Sequence, residues 1–274
     1  MRRLALLLAL VLVGLPTSAA AHPGSSVQID IQTKRIEAQP DAQLPYIARG
    51  AIYSHDGAYE LALADFRKAE TLGEPFLVAY ELGLLHRRMG KFEMALQYLD
   101  TFLEHVPAAP PALEQRAHVL AELERTDEAV ATFEQLFGVQ PRPNPGLYIA
   151  AAKLLAAKGQ AGIEPALALL DRGMERQGIL PQLQQYAVEL ELAGGHEARA
   201  LARLESLGPV LGEGPYWKVD MGELLLKQGK TAEARRDLSD ASNQLTTLRP
   251  TRARQELAQR IEQIQEALGP SSGG

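Results

Sequence analysis

One segment near the amino terminus reads Tyr59-Glu-Leu-Ala62-Leu-Ala-Asp-Phe66-Arg-Lys-Ala69. Its residues Ala62, Phe66 and Ala69 share one face of an α-helix, because they follow one another at helical intervals. Similar segments recur along the chain, each with an alanine at the equivalent place. The alanines are Ala62, Ala95, Ala129, Ala166, Ala200 and Ala234, spaced by 33, 34, 37, 34 and 34 residues. A period of about 34 residues in a helical pattern predicts an array of two-helix repeats.

The amino-acid composition agrees with an all-α fold and argues against nucleic-acid binding. The 274 residues are 46% hydrophobic and 5% aromatic, and none is cysteine. Alanine and leucine are abundant, which suits helices in close contact. The formal net charge is −6 and the basic residues are scattered, so we expect no nucleic-acid-binding surface.

Proline and glycine mark the expected limits of the repeats. We predict six helix pairs within residues 43–249, preceded by a lead segment and helix in 22–42. Residues 250–268 carry an apolar stripe and are predicted to be a capping helix that covers the last repeat. Residues 269–274 are predicted to be a disordered tail.

Glycines have two predicted roles in the pairs. Gly50 and Gly83 lie where the second helix of a pair has to approach the first closely. Other glycines are predicted to end first helices in a left-handed conformation, which glycine adopts at little cost. These are Gly57, Gly90, Gly159, Gly194 and Gly229.

The first pair resembles the tetratricopeptide repeat family, and the chain as a whole resembles exported bacterial members. The matching residues are Tyr46, Gly50, Tyr53, Ala62, Phe66 and Ala69. The resemblance covers residues 43–249 and implies a right-handed α-solenoid of about six helix-turn-helix units. Two pairs depart from the pattern: residues 160–163 are expected to lengthen a turn, and Gly194-Gly195 adds a residue. Families of half-repeats with the same two-helix design are the alternative.

The first 21 residues have the pattern of an export signal. Met1-Arg2-Arg3 is basic, Leu4 to Leu15 is apolar, and Ala19-Ala20-Ala21 offers small residues for cleavage before His22. The apolar run is short of the roughly 20 residues that span a membrane, so we expect no stable span. The sequence therefore predicts a periplasmic or secreted protein, and a retained anchor is the alternative.

Sequence motifs for catalysis were sought, and none was recognised. His196-Glu197, for example, lacks the second histidine of a zinc-binding pair. We therefore expect a non-catalytic scaffold with no cofactor and no metal site. The alternatives are a regulatory partner of an envelope enzyme, a cryptic enzyme of the envelope, and a purely structural or self-associating protein.

The resemblance implies that first helices line a concave face that binds a protein or peptide. The candidate groove residues there are His55, Tyr80, Leu84, Arg87, Arg88 and His118. Arginines can pair with carboxylates beside an apolar anchor, so the expected ligand has an acidic segment. An ordinary charged helix surface is the alternative. Outward positions predicted in later pairs include Gln184, Val188, Glu191, Val219, Glu223 and Lys227.

Overall fold

Helices form all the regular structure of residues 23–212 and 214–269, which are the residues that the computed structural model describes. Several begin at a proline, whose missing N–H is not needed in a first helical turn. In chain order the helices are α1 (Pro23–Ala38), α2 (Gln43–His55), α3 (Tyr59–Glu70), α4 (Pro75–Arg88), α5 (Phe92–His105), α6 (Pro110–Glu122), α7 (Thr126–Val139), α8 (Pro145–Ala156), α9 (Gln160–Gln177), α10 (Pro181–Ala193), α11 (Glu197–Glu205), α12 (Gly208–Leu211), α13 (Pro215–Lys227), α14 (Thr231–Thr247) and α15 (Arg252–Ala267).

Successive helices pack as pairs: α2 with α3, α4 with α5, α6 with α7, α8 with α9, α10 with α11, and α13 with α14. The six repeat alanines are all fully buried. The helix α1 precedes the first pair, and α15 follows the last. The predicted all-α fold, a solenoid of helix pairs with a lead helix and a capping helix, is therefore confirmed.

Close approach within a pair depends on a small residue in the first helix. A Cβ atom added to Gly50 would lie 2.6 Å from Cε1 of Phe66, and one added to Gly83 would lie 2.8 Å from Cγ of Leu99. Both distances are shorter than real Cβ contacts allow. The two glycines therefore have the role predicted for them, and each admits one large side chain from the second helix.

The turns between paired helices follow the prediction in four pairs and differ from it in the fifth, and no turn glycine was predicted for the third. Gly57, Gly90, Gly159 and Gly229 have φ angles of 70–80°. In the fifth pair Gly194 follows α10 with an ordinary φ of −80°, and the next residue, Gly195, is the left-handed one. In the third pair it is Glu124, with a φ of 57°. A side chain costs energy in this conformation, so Glu124 is a strained position.

The expected long turn at residues 160–163 is wrong. These residues form the first turn of α9, which starts directly after Gly159. A Cβ atom on Gly162 would lie 1.8 Å from the carbonyl oxygen of Leu155. The extra residues of the fourth pair therefore extend the second helix and press it against the end of α8.

The second helix of the fifth pair is broken, which the sequence analysis did not predict. Pro209 has no N–H with which to continue α11, so the chain restarts as α12. Two side chains donate hydrogen bonds to backbone carbonyls near the break. Gln184 donates to the Arg203 carbonyl at 3.1 Å, and the Trp217 indole donates to the Leu204 carbonyl at 2.7 Å.

The chain divides into two compact units, called here the N-terminal unit (residues up to Pro107) and the C-terminal unit (residues from Ala108). The core of the N-terminal unit surrounds Phe66. The C-terminal unit ends at α15, whose Leu257 and Ile261 are buried against α13 and α14. In the described residues, no helix is both long and apolar enough to span a bilayer. The predicted signal and most of the predicted tail lie outside these residues.

Candidate functional site

Five of the six predicted groove residues belong to the N-terminal unit. His55 ends α2, and Tyr80, Leu84, Arg87 and Arg88 lie along α4. His55 and Arg88 are exposed, and the other three are half-buried.

A hydrogen bond joins the two first helices of this unit. Arg88 donates from Nη1 to the hydroxyl of Ser54 at 3.0 Å, so the end of α4 is tied to the end of α2. Leu44 and Leu77 lie in the first turns of the same helices and are 67% and 39% exposed. The helices that carry the predicted residues thus also expose two leucines.

Charges on α4 are partly balanced within the helix. Burial raises the pKa of the Glu81 carboxyl, and the positive charge of Arg88 opposes that rise. The His55 ring lies 3.3 Å, through Nδ1, from an oxygen of Asp56. Arg88 is therefore exposed to solvent and also offsets the negative charge of Glu81 on its own helix.

The sixth predicted residue, His118, lies in the C-terminal unit. It is half-buried on α6, and its ring meets the ring of Phe133 edge-on, with centroids 5.5 Å apart. His118 is therefore a packing residue of its own pair and belongs to a different unit from the other five.

The C-terminal unit contains a groove between first helices, with a volume of about 310 Å³. Helices α10, α11, α13 and α15 contribute its walls. We call it the C-terminal groove, and its lining residues are Gln185, Val188, Glu189, Leu192, Leu204, Asp220, Glu223, Leu224, Lys227 and Arg260. Four of them are apolar and five are charged, so the groove combines an apolar surface with charged groups.

Arg260 connects the capping helix to this groove. Its Nε donates to Oε1 of Glu223 at 2.6 Å, and its Nη2 donates to Oδ1 of Asp220 at 3.0 Å. Burial raises the pKa of the Asp220 carboxyl, and Arg260 opposes the rise. The hydrogen bond to Glu223 raises the pKa of Arg260 itself. The sequence analysis predicted a capping helix here and assigned no role to Arg260.

Two of the three outward positions predicted on α10 are wrong. Gln184 and Glu191 were predicted to face outward, but they are 6% and 0% exposed, and Gln185 and Glu189 line the groove instead. Ile47, an outward position predicted in the first pair, lies 15 residues before the repeat alanine Ala62, and the residue 15 positions before Ala200 is Gln185. The repeat period thus contained the correct register.

The four other outward positions have mixed outcomes. Val219 is fully buried because Leu257 and Ile261 of the capping helix cover it. Val188, Glu223 and Lys227 do line the C-terminal groove.

A buried charge network lies behind α10. The Glu191 carboxylate has no exposed surface and accepts hydrogen bonds from Arg199 and Arg203. Arg203 also binds Asp171 on α9 with two bonds of 2.6 and 2.8 Å. His196 approaches Glu191 to 3.2 Å through Nδ1. This network holds α9, α10 and α11 together and supports the wall of the groove.

The stacked helix pairs define a helical repeat protein. Residues 110–143 match the tetratricopeptide repeat family, and the other pairs have the same two-helix packing. The chain therefore contains a tetratricopeptide repeat at residues 110–143, and its other helix pairs share that architecture. Proteins with this repeat generally mediate protein–protein interactions.

Three solved structures illustrate the likeness in fold. The C-terminal part of a tetratricopeptide repeat protein from Cytophaga hutchinsonii has a TM-score of 0.65 at 11% identity, over 85% of this chain and 94% of that one. PilF of Pseudomonas aeruginosa has a TM-score of 0.54 at 17% identity, over 68% and 84%. A tetratricopeptide repeat protein from Parabacteroides merdae has a TM-score of 0.50 at 18% identity, over 87% and 92%. No curated protein matches the chain by sequence.

Proposed function

We propose that this protein is a non-catalytic scaffold that binds a protein or peptide partner on faces formed by its first helices. The C-terminal groove is the observation that carries the proposal, because apolar and charged groups from successive repeats line one depression. Peptide-binding sites in proteins commonly combine apolar pockets with a few polar groups that fix orientation.

Site-specific photo-crosslinking in the producing cell tests this proposal. A benzoylphenylalanine placed at Gln185 or Lys227, both exposed at the groove, should cross-link to a defined segment of a partner. The same group at Ala202 or Ser239, exposed positions on second helices, is the matched control. Equal cross-linking from all four positions would count against binding in the groove.

For the N-terminal unit we propose an acidic partner segment. Arg87 and Arg88 would pair with its carboxylates, and Leu44 and Leu77 offer exposed apolar contacts on the same two helices.

We also propose that the protein acts outside the cytoplasm. The support is the sequence of the first 21 residues, with its basic start, apolar run and small residues before His22. Amino-terminal sequencing of the protein from a periplasmic or culture fraction should begin at His22. A product that keeps Met1 in the membrane fraction would contradict cleavage.

A further inference from the structure

The C-terminal groove already binds one cation, and that cation comes from the chain itself. The Arg260 guanidinium bridges Asp220 and Glu223 through Nη2 and Nε. Each bond uses one oxygen of a carboxylate, and a carboxylate can accept several hydrogen bonds. The acidic edge of the groove is therefore shaped to accept a planar, positively charged group.

Negative charge exceeds positive charge along the groove. Glu189, Asp220 and Glu223 contribute three carboxylates, and Lys227 and Arg260 contribute two cations. Asp220 has to keep its charge in a partly buried position, which disfavours the ionised form. A further cation placed here would be attracted, whereas a further carboxylate would be repelled.

An apolar surface lies next to this acidic edge. Val188 and Leu192 come from α10, Leu204 from α11, and Leu224 from α13. Val188 and Leu192 are only partly buried, so they can gain contacts from a ligand. A ligand that fits both surfaces has a basic side chain beside an apolar one.

We infer that the C-terminal groove binds a basic side chain and a neighbouring apolar side chain of a partner peptide, and that Arg260 is a built-in competitor for the acidic edge. The inference rests on the proposed scaffold function and specifies the ligand of one of its sites. Arg260 holds Asp220 and Glu223 while the groove is free, and the basic side chain of the partner displaces it. Removal of Arg260 should therefore strengthen binding, although it removes a polar contact.

Three capped dipeptides serve as probes of this inference: leucyl-arginine, leucyl-citrulline and leucyl-glutamate. Citrulline matches arginine in size but has no charge. Methyl NMR shifts of Val188 and Leu224 report binding in the groove. Fluorescence of Trp217, the single tryptophan, gives a second signal, because its indole N–H donates a hydrogen bond to the carbonyl of the groove residue Leu204.

Two variants test the roles of Arg260 as competitor and of Glu223 as acceptor separately. Arg260→Gln should bind leucyl-arginine at least about threefold more tightly than the wild type. Adding Glu223→Gln to that variant should weaken binding about tenfold, since it removes one charge-assisted hydrogen bond. Arg252→Gln is the matched control, because Arg252 lies on the same helix and pairs with Glu256 outside the groove. It should leave the affinity unchanged.

Several results would overturn the inference. Equal binding of the citrulline probe would show that charge is not recognised. Preference for leucyl-glutamate would assign the groove to an acidic ligand of Lys227 and Arg260. No shift with any probe, or no gain in Arg260→Gln with an unchanged thermal midpoint, would also reject it. Cross-links from Gln185 to a partner segment without basic residues would leave the scaffold function standing and reject only the basic ligand.

Discussion

Arg203 donates from Nε to Oε1 of Glu191 at 2.8 Å, and no surface of that Glu191 side chain is exposed. Burial of a carboxylate is unfavourable by several kcal/mol unless cations and donors compensate. The same guanidinium binds Asp171 two helices earlier. One arginine therefore joins α9, α10 and α11 and restrains their relative placement.

Replacing this arginine should destabilise the protein strongly. Arg203→Met should lower the free energy of unfolding by about 3 kcal/mol, because Glu191 stays buried with weaker compensation. Urea denaturation followed by circular dichroism measures the change. Arg172→Met is the matched control: Arg172 pairs with Glu134 on an exposed surface, so its loss should be below about 1 kcal/mol. Similar losses in both variants would show that the buried network adds no special stability.

The strained turn of the third pair should be improved by glycine. Glu124→Gly should raise the free energy of unfolding by about 1 kcal/mol, because φ of 57° is unfavourable for a side chain and easy for glycine. Thermal denaturation measures the gain. Glu122→Gly, placed at the end of α6, should have the opposite sign. A lower midpoint for Glu124→Gly would mean that the glutamate side chain stabilises the turn.

Acid sensitivity should come in part from His86. Burial lowers the pKa of this imidazole, and the positive charge of Lys91 lowers it further. Its folded pKa is below the unfolded value of about 6.5, so its contribution to stability is complete above that pH. The contribution is lost as the pH falls through the unfolded pKa towards the folded one.

His86→Phe tests this effect, because phenylalanine keeps the stacking on Tyr98 and removes a buried Nδ1 that has no hydrogen-bond partner. The variant should lose less stability than the wild type between about pH 6.5 and pH 5. Thermal midpoints across that range give the comparison. His105→Phe changes an exposed ring and should keep the acid sensitivity. Parallel curves for wild type and His86→Phe would rule His86 out as its source.

Arg87 and Arg88 on α4 should determine how tightly the N-terminal unit binds an acidic ligand. Arg87→Glu with Arg88→Glu should leave the helical spectrum unchanged, because the hydrogen bond to Ser54 that it removes is worth only about 1 kcal/mol. It should weaken binding of a short fluorescent peptide of alternating glutamate and leucine at least about tenfold, because like charges would meet. Anisotropy titration measures the affinity. Arg67→Glu with Lys68→Glu, two exposed positions on α3, makes the same charge change elsewhere and should bind normally.

Local periodicity predicted the fold because it records which face of each helix is buried. The spacing of Ala62, Ala95 and their equivalents was enough to locate the pairs, and Gly50 and Gly83 marked the close contacts. The turn at Glu124 was missed because its conformation depends on the loop geometry and not on a preferred residue type. The break after α11 was missed although Pro209 stands in the sequence, since apolar spacing continued through Leu207.

The candidate site was less predictable than the fold. Glu191 was assigned to the surface by the outward face predicted for α10, and it is fully buried. Its partners Arg199 and Arg203 come from α11, Arg203 also binds Asp171 on α9, and no short pattern along the chain connects these residues. The role of Arg260 likewise depends on how α15 lies beside α13. The six predicted groove residues remain a prediction, with His118 placed in a separate unit.

The burial of Val219 beneath Leu257 and Ile261 determines how the array stops growing. A stack of identical pairs is a template for its own extension, because every last pair presents the apolar surface that the next one would cover. Here α15 covers that surface and turns Gln255, Glu256, Gln259 and Glu262 to solvent. Another chain that approached this end would meet hydrated amides and carboxylates in place of a docking surface. The last helix thus protects the described array from polymerising through this end.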